Sequence, residues 1–150
     1  MDLFYKESII DYKSMLKDCF VTDPNLLEKW HIASGQGLDA CVDKTFQDLQ
    51  YCKASIYKLT SESDLVGYFG KELCDDKQWL TGFFLFPKFR NEQNKKEFWQ
   101  IVESEFQRPY FCGLYEKNKP ANAFIKKHGG ELIKSVDLSN GPVLVYRIGV

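Results

Sequence analysis

Residues that bind metals or form disulfide frameworks are few and scattered in this 150-residue chain. It has two histidines, His31 and His128, and its five cysteines are far apart and form no Cys-x-x-Cys pair. A zinc site needs clustered ligands, so we predict no metal centre. An odd number of dispersed cysteines, in a chain without a signal sequence, indicates reduced thiols and a cytoplasmic location.

Neither an excess of charge of one sign nor a long apolar run is present. The chain has 20 basic and 21 acidic residues and a formal net charge of −1, which removes the electrostatic argument for a nucleic-acid partner. No apolar stretch approaches the roughly 18 residues that a membrane-spanning helix needs, so we expect no membrane insertion. With 44% hydrophobic residues, 12 Phe, 8 Tyr and 3 Trp, the composition predicts one soluble domain with an aromatic-rich core or binding surface.

The first third of the chain has the apolar spacing of helices. Residues 1–6 are interpreted as either an edge strand or an arm. Apolar residues recur at helical spacing over residues 7–20 and 38–49, and a capping sequence predicts a further helix over residues 25–33. The Ser-Gly-Gln-Gly sequence at residues 34–37 predicts a turn.

From residue 52 onward the apolar residues follow the period of strands, interrupted by two amphipathic helices. The predicted strands cover residues 54–59, 65–73, 78–86, 110–115, 131–138 and 143–148, and the predicted helices cover residues 91–106 and 118–128. A helical first third followed by a strand-rich remainder indicates a single α+β domain, in which helices flank a mixed sheet.

A strand-to-helix junction at residues 85–90, Leu-Phe-Pro-Lys-Phe-Arg, is the first candidate site. Backbone amides at a helix start, together with the partial positive charge of the helix, attract anions. Lys88 and Arg90 would add full charges for a pyrophosphate. The alternative interpretation is structural, because Pro87 can simply end a strand while both basic side chains are solvated.

The second candidate segment is a short helix that follows Asn118 and ends at Gly129. Asn118 is a good N-cap, Pro120 suits the first turn, and Gly129 suits the left-handed position after a helix. Capping preferences therefore explain much of this pattern without a ligand.

Together the two segments resemble the cofactor-binding core of the GNAT superfamily of N-acetyltransferases. Residues 85–90 are similar to the first half of the family pattern Val-x-Pro-x-x-Arg/Gln-x-x-Gly-x-Gly/Ala. Asn118, Ala121 and Gly129 occupy the matching places of a later family pattern, Asn-x-x-Ala-x-x-x-Tyr-x-x-x-Gly-Phe.

The resemblance extends over residues 52–148 and implies one GNAT-like domain with a mixed, mostly antiparallel sheet, in which residues 1–50 form the family's variable helical half. It implies acetyl-CoA as cofactor and N-acetylation of a small-molecule or peptide amine, by direct attack of the amine on the thioester. Glu72 is the implied general base, with an exposed carboxylate at the end of a strand as the alternative interpretation, and Tyr115 is a candidate substitute for the family's acid. The implied cofactor-binding residues are Phe84, Leu85, Phe86, Lys88, Arg90, Asn91, Gln93, Asn94, Lys95 and Asn118.

Three positions depart from the family patterns. Gln93 and Lys95 replace two glycines that bring the pyrophosphate close to backbone amides, although Lys95 can itself pair with a phosphate. Ile125 replaces a tyrosine that often acts as the acid, and an isoleucine cannot donate a proton. The replacement acids on the adjoining strand are Tyr110, Cys112 and Tyr115.

These departures support a second hypothesis, a GNAT-like module that binds a partner without catalysing acetyl transfer. The glycine-poor form of the patterns resembles acetyltransferase-like proteins of bacteriophages, among them internal virion proteins, so this hypothesis includes a virion-associated location. The high aromatic content suits an interface with a protein partner or a second copy of the chain. A third interpretation is an unrelated α+β domain that shares only the order of strands and helices.

Overall fold

The structure is a computed structural model that describes residues 4–23, 37–138 and 141–149. In these ranges the chain forms seven strands and four helices. The strands are β1 (Tyr5–Ile9), β2 (Ser55–Ser61), β3 (Asp64–Cys74), β4 (Lys77–Leu85), β5 (Tyr110–Tyr115), β6 (Gly130–Leu138) and β7 (Gly141–Ile148). The helices are α1 (Lys13–Thr22), α2 (Leu38–Tyr51), α3 (Glu92–Ser104) and α4 (Lys119–Lys127).

All seven strands belong to one sheet, in the order β1-β2-β3-β4-β5-β7-β6. Neighbouring strands are antiparallel, except for β4 and β5, which are parallel. The predicted α+β class, with a mixed and mostly antiparallel sheet flanked by helices, is therefore confirmed. Each strand and helix predicted beyond residue 52 is present, with both ends within two residues of the prediction.

The beginning of the chain differs from the predicted helix over residues 7–20. Tyr5–Ile9 form the edge strand β1, in which Tyr5 lies opposite Thr60 of β2, and α1 begins only at Lys13. Of the two interpretations of residues 1–6, the edge strand is the one that residues 5 and 6 adopt. Local spacing assigned residues 7–9 to a helix instead, because strand formation here depends on pairing with a segment about 50 residues further along the chain.

Several predicted features lie outside the described residues. These are the helix over residues 25–33 and most of the turn over residues 34–37. The helix predicted over residues 38–49 is confirmed as α2.

Helices cover both faces of the sheet, and aromatic rings fill both interfaces. On one face α1 and α2 contribute to a buried cluster that includes Leu16, Phe20, Val42, Tyr68 and Phe84. On the other face α3 and α4 contribute to a cluster that includes Phe69, Leu80, Phe98, Trp99, Ile125 and Tyr146. Because side chains alternate along a strand, Phe84 of β4 faces α1 and α2 while its neighbours Phe83 and Leu85 face α3 and α4.

Candidate functional site

The parallel strands β4 and β5 separate soon after they meet. They pair at two places, Trp79 with Phe111 and Leu80 with Cys112, although β4 continues to Leu85 and β5 to Tyr115. Beyond these pairs the two facing strand edges diverge and do not bond to each other. Unpaired backbone amides and carbonyls need partners, so the V-shaped opening offers hydrogen bonds to an extended ligand.

A bulge in β4 lies where the opening begins. Gly70 of β3 is opposite Gly82, but the next residue, Lys71, is opposite Leu80, so Thr81 is an extra residue in β4. A bulge bends the strand and increases its twist. The bend at Thr81 thus accounts for the divergence of β4 from β5.

Asn122 fixes the start of α4 beside this opening. Its side-chain amide donates to the carbonyl oxygens of Tyr115 (3.0 Å) and Asn118 (2.8 Å), and it accepts from the hydroxyl of Tyr146 (2.7 Å). Asn122 is 6% exposed and Tyr146 is fully buried, and a buried polar group is stable only when it is hydrogen-bonded. The network therefore holds Asn118 and Ala121 at the end of β5.

A double-mutant cycle tests this network. Asn122→Leu should lower the free energy of unfolding by about 2–3 kcal/mol, because it leaves the buried Tyr146 hydroxyl without a partner, and Tyr146→Phe should lower it by about 1–2 kcal/mol. The double variant should lose less than the sum of both, since the two side chains share one bond. Urea denaturation followed by circular dichroism measures all three, and strictly additive losses would contradict the coupling.

Two adjoining cavities form a continuous groove from the V-shaped opening along α4. The smaller, of about 90 Å³, lies inside the opening between residues 80–83 of β4 and 112–115 of β5. The larger, of about 400 Å³, lies between the end of β4, the first turn of α3 and α4. Phe83, Asn118 and Ala121 line both cavities, so we refer to the two together as the groove.

The larger cavity is lined by three cationic side chains, Arg90, Lys95 and Lys127. Asp23 is the one acidic residue that lines either cavity in the described part of the chain. The charge around this end of the groove is therefore predominantly positive, which favours an anionic ligand.

Arg90 is already engaged in three contacts. Its Nε donates to the carbonyl oxygen of Leu85 at 2.6 Å, its guanidinium pairs with Asp23 at 3.3 Å, and the guanidinium lies 5.1 Å from the ring centroid of Phe84. These contacts tie the loop after β4 to the end of α1. Arg90 therefore stabilises the wall of the groove as well as adding charge to it.

The structure brings about half of the predicted cofactor-binding residues to the groove. The larger cavity is lined by Phe84, Leu85, Arg90, Lys95 and Asn118. These residues come from the end of β4, the loop after it and both helices, so the fold brings together the two sequence segments that carry the resemblance.

The other predicted cofactor-binding residues lie outside the groove lining. Phe86 is buried in the cluster beneath α1 and α2, and Lys88 reaches Asp64, 3.4 Å away. The side chain of Asn91 caps α3 by accepting from the amide of Asn94 at 2.9 Å. Gln93 lies on a shallow surface groove between α3 and α4.

The two predicted catalytic residues lie on opposite sides of the opening. Tyr115 lines the smaller cavity. Glu72 lies opposite Trp79, next to the point where β4 leaves β5, and is outside the lining of both cavities. Glu72 is four residues beyond Tyr68 in the same strand, so its side chain lies on the face of the sheet that α1 and α2 cover. There the pKa of the Cys52 thiol is raised, first by burial and second by the negative charge of Glu72.

The replacement acids differ in their access to the groove. Cys112 lines the smaller cavity, and burial raises the pKa of its thiol to about 12, so it is protonated at neutral pH. Tyr110 is fully buried, and its hydroxyl donates to Glu103 at 2.6 Å. Tyr115 is therefore the tyrosine of β5 that reaches the opening.

Sequence reasoning did not assign Asn122, Lys127 and His128 to the site. The ring of His128 stacks on Trp99 with centroids 4.9 Å apart, and His128 also lines the larger cavity. Burial, with a smaller contribution from Lys127, lowers the pKa of His128. A lysine in the last turn of a helix has an ordinary capping role, so no sequence signal distinguished Lys127.

None of the described helices is long and apolar enough to cross a membrane. In the same part of the chain, no three His, Cys, Asp or Glu side chains lie close enough together to hold a metal ion.

No protein-family model matches the sequence, and no curated protein is significantly similar to it in sequence. Solved structures are similar in fold. A probable GNAT-family acetyltransferase from Chromobacterium violaceum has a TM-score of 0.76 at 11% identity, covering 99% of this chain and 83% of that one. AAC(6′)-Ib in complex with paromomycin and acetyl-CoA has a TM-score of 0.73 at 14% identity, covering 99% and 94%.

An acetyltransferase from Salmonella typhimurium that modifies the N-terminal serine of a 50S ribosomal subunit protein is also similar. Its TM-score is 0.70 at 11% identity, with 100% of this chain and 96% of that chain covered. Identities this low show a common fold, and the fold implied by the resemblance of the two sequence segments is thereby confirmed.

Proposed function

We propose that this chain, which has the fold of the GNAT acetyltransferases, is an acetyl-CoA-dependent N-acetyltransferase. The observation that carries the proposal is the groove, which begins between the separated strands β4 and β5 and ends among the cations of α3 and α4. A fold by itself does not establish a function. Here the opening and the cations occur on the two sequence segments that resemble the family's cofactor-binding core.

The residues of the groove fit the chemistry of this cofactor from end to end. The free edge of β4 between Thr81 and Leu85 offers amides and carbonyls to the amide groups of the pantetheine arm. At the other end, Lys95 and Lys127 supply positive charge for the phosphates. Acetyl-CoA supplies a thioester whose carbonyl carbon bonds to the substrate nitrogen while its C–S bond breaks.

Two protons move in this reaction, and we propose one residue for each transfer. Glu72, on the α1 and α2 face, accepts the proton that the amine loses. Glu72 does not itself line the opening, so a water molecule carries this proton from the amine to the carboxylate. Tyr115, inside the opening, donates the proton that the departing thiolate takes up. In this arrangement the cofactor lies on the α3 and α4 face, and the amine approaches from the face of α1 and α2.

Calorimetry with acetyl-CoA, followed by a thiol-release assay, tests the proposal. We expect a one-to-one complex and turnover with at least one amine from a panel of aminoglycosides and N-terminal serine peptides, the acceptor types of the similar structures. Glu72→Gln should lower kcat at least about 100-fold, with cofactor affinity unchanged. Glu131→Gln, an exposed change on β6, is the matched control. A lack of binding at millimolar acetyl-CoA would refute the proposal.

A second candidate function is a non-catalytic module that binds a protein partner or a second copy of the chain. The observation in its favour is that Ile125, at the place of the family tyrosine, is fully buried, so no acid occupies that position. The edge strand β6 also exposes four apolar side chains, Leu132, Ile133, Val136 and Leu138. Light scattering that detects a stable complex, without turnover of any amine, would favour the module. A phage or virion association stays a prediction from the sequence.

A further inference from the structure

A carboxylate joins two lysines from different helices at the mouth of the larger cavity. One oxygen of Glu92, at the start of α3, lies 2.7 Å from Nζ of Lys127 in the last turn of α4. Its other oxygen lies 3.7 Å from Nζ of Lys95, one turn further along α3. Both lysines therefore already converge on a single anionic group, and we call these three residues the clasp.

The clasp contributes little to the stability of the fold. The side chains of Glu92, Lys127 and Lys95 are 74%, 59% and 36% exposed, and exposed ion pairs are weak because water screens them. The hydrogen bond from Lys127, and then the charges of both lysines, lower the pKa of Glu92. The carboxylate is thus ionised at neutral pH and competes with any other anion for the two ammonium groups.

The position of the clasp matches the path of a long ligand. Lys95 and Lys127 line the larger cavity, whereas Glu92 does not. All three line a second, shallower groove between α3 and α4, of about 530 Å³, which Trp99 and His128 also line. A ligand that fills the larger cavity and continues past α4 would leave it between the two lysines.

Backbone amides near the clasp are largely occupied. The amide of Asn94 donates to the side chain of Asn91, and the amide of Lys95 donates to the carbonyl of Asn91, both at 2.9 Å. The amides of Phe89 and Arg90 are bonded within the turn that precedes α3. Recognition of an anion here therefore depends on side chains more than on a cradle of free amides.

Resting on the proposed function, in which Lys95 and Lys127 supply positive charge for the phosphates of the cofactor, we propose that Glu92 is a built-in competitor for these two lysines and that the phosphates displace it. The ligand class is a nucleoside that carries at least two phosphate groups. The phosphates carry more negative charge than the Glu92 carboxylate that they replace. The free energy of binding therefore gains only the difference between the attraction of the lysines for the phosphates and their attraction for Glu92. Cofactor affinity is then limited by Glu92 and decreases with added salt.

Isothermal titration of 3′,5′-adenosine diphosphate, coenzyme A and pantetheine into the whole protein tests this role. Glu92→Gln keeps the shape of the side chain but removes its charge, so it should tighten binding of coenzyme A and of the nucleotide about fivefold. Lys127→Gln should weaken both about tenfold. Lys126→Gln, a change of the adjacent exposed lysine that lines neither groove, is the matched control and should change affinity less than about twofold. Pantetheine, which has no phosphate, should bind all four proteins equally.

The outcomes separate the clasp from the proposed function. If coenzyme A binds the wild-type protein and Glu92→Gln weakens that binding or leaves it unchanged, the clasp is refuted while the acetyltransferase proposal stands. An equal effect of Lys127→Gln on coenzyme A and pantetheine would also refute it, because the lysine would then act through structure. If neither coenzyme A nor pantetheine binds the wild-type protein, both proposals fall together.

Discussion

Gly67→Ala is expected to lower the free energy of unfolding by more than about 4 kcal/mol, a large part of the roughly 5–15 kcal/mol that holds a typical domain folded. Gly67 lies in β3 opposite Leu85. A Cβ at this position would lie 2.0 Å from the carbonyl oxygen of Phe84 and 3.1 Å from the Cα of Leu85. Both contacts are with backbone, so a change of side-chain rotamer cannot relieve the clash.

Relief of this clash would require the end of β4 to move away from β3. That strand end forms the wall of the groove, and the amide of Phe86 is bonded to the carbonyl of Val66 at 2.8 Å just beyond it. Urea denaturation followed by circular dichroism measures the loss. Gly37→Ala is the matched control, because a Cβ there meets nothing within 4 Å, and it should cost less than about 1 kcal/mol. A Gly67→Ala protein as stable as this control would show that β3 and β4 are less closely packed than described.

Ala121→Trp is expected to abolish cofactor binding, with a loss of affinity of at least about 1,000-fold, which corresponds to about 4 kcal/mol. Ala121 lies in the first turn of α4, is partly exposed, and lines both cavities of the groove. An indole at this position would fill the space between α4 and β4 through which the pantetheine arm must pass. Since the methyl group of Ala121 is not part of the buried core, the fold should tolerate the change.

Calorimetry with acetyl-CoA measures the effect of Ala121→Trp, and thermal unfolding checks that the protein is intact. Lys119→Trp adds the same bulk two residues earlier on α4, at an exposed position that lines neither cavity, and should bind as the wild type does. Ala121→Ser should also bind normally, because its small side chain leaves the groove open. Unchanged affinity in a folded Ala121→Trp protein would place the cofactor elsewhere.

Local patterns predicted the second part of the chain well. The boundaries of β5, residues 110–115, were predicted without error, α3 was predicted from its apolar stripe, and α4 was predicted from its apolar stripe and its capping residues. The predicted capping role of Asn118 is confirmed by a bond from the amide of Ala121. The cap that Asn91 provides to the amide of Asn94 was not predicted. These features depend on residues a few positions apart, so the sequence contains the information directly.

The same reasoning failed at the first strand. Residues 7–9 were assigned to a helix because Ile9 and later apolar residues have helical spacing, yet they pair with residues 56–58 of β2. Pairing across such a distance depends on the free edge that β2 offers to β1 in the folded sheet. The spacing of apolar residues within a short segment carries no information about a strand so far along the chain.

Some of the predicted site residues line the groove, and others do not. Asn118 and Lys95 were selected from motif positions and do line the groove. Lys88 and Asn91 were selected from the same motif and instead contact Asp64 and Asn94. Motif position indicates which turn of chain approaches a ligand, but rotamers and neighbouring charges determine which side chains face it.

The sequence alone predicted the α+β class, the order of elements after residue 52, and a strand-to-helix junction rich in positive charge. Each of these depends on composition, periodicity or capping, which act over a few residues. Tertiary structure decided the separation of β4 from β5 at the Thr81 bulge, the engagement of Arg90 by Asp23, and the meeting of Glu92 with Lys127. The residues in each of these contacts lie tens of positions apart in the sequence. They meet because α1, α3 and α4 all pack on the same sheet.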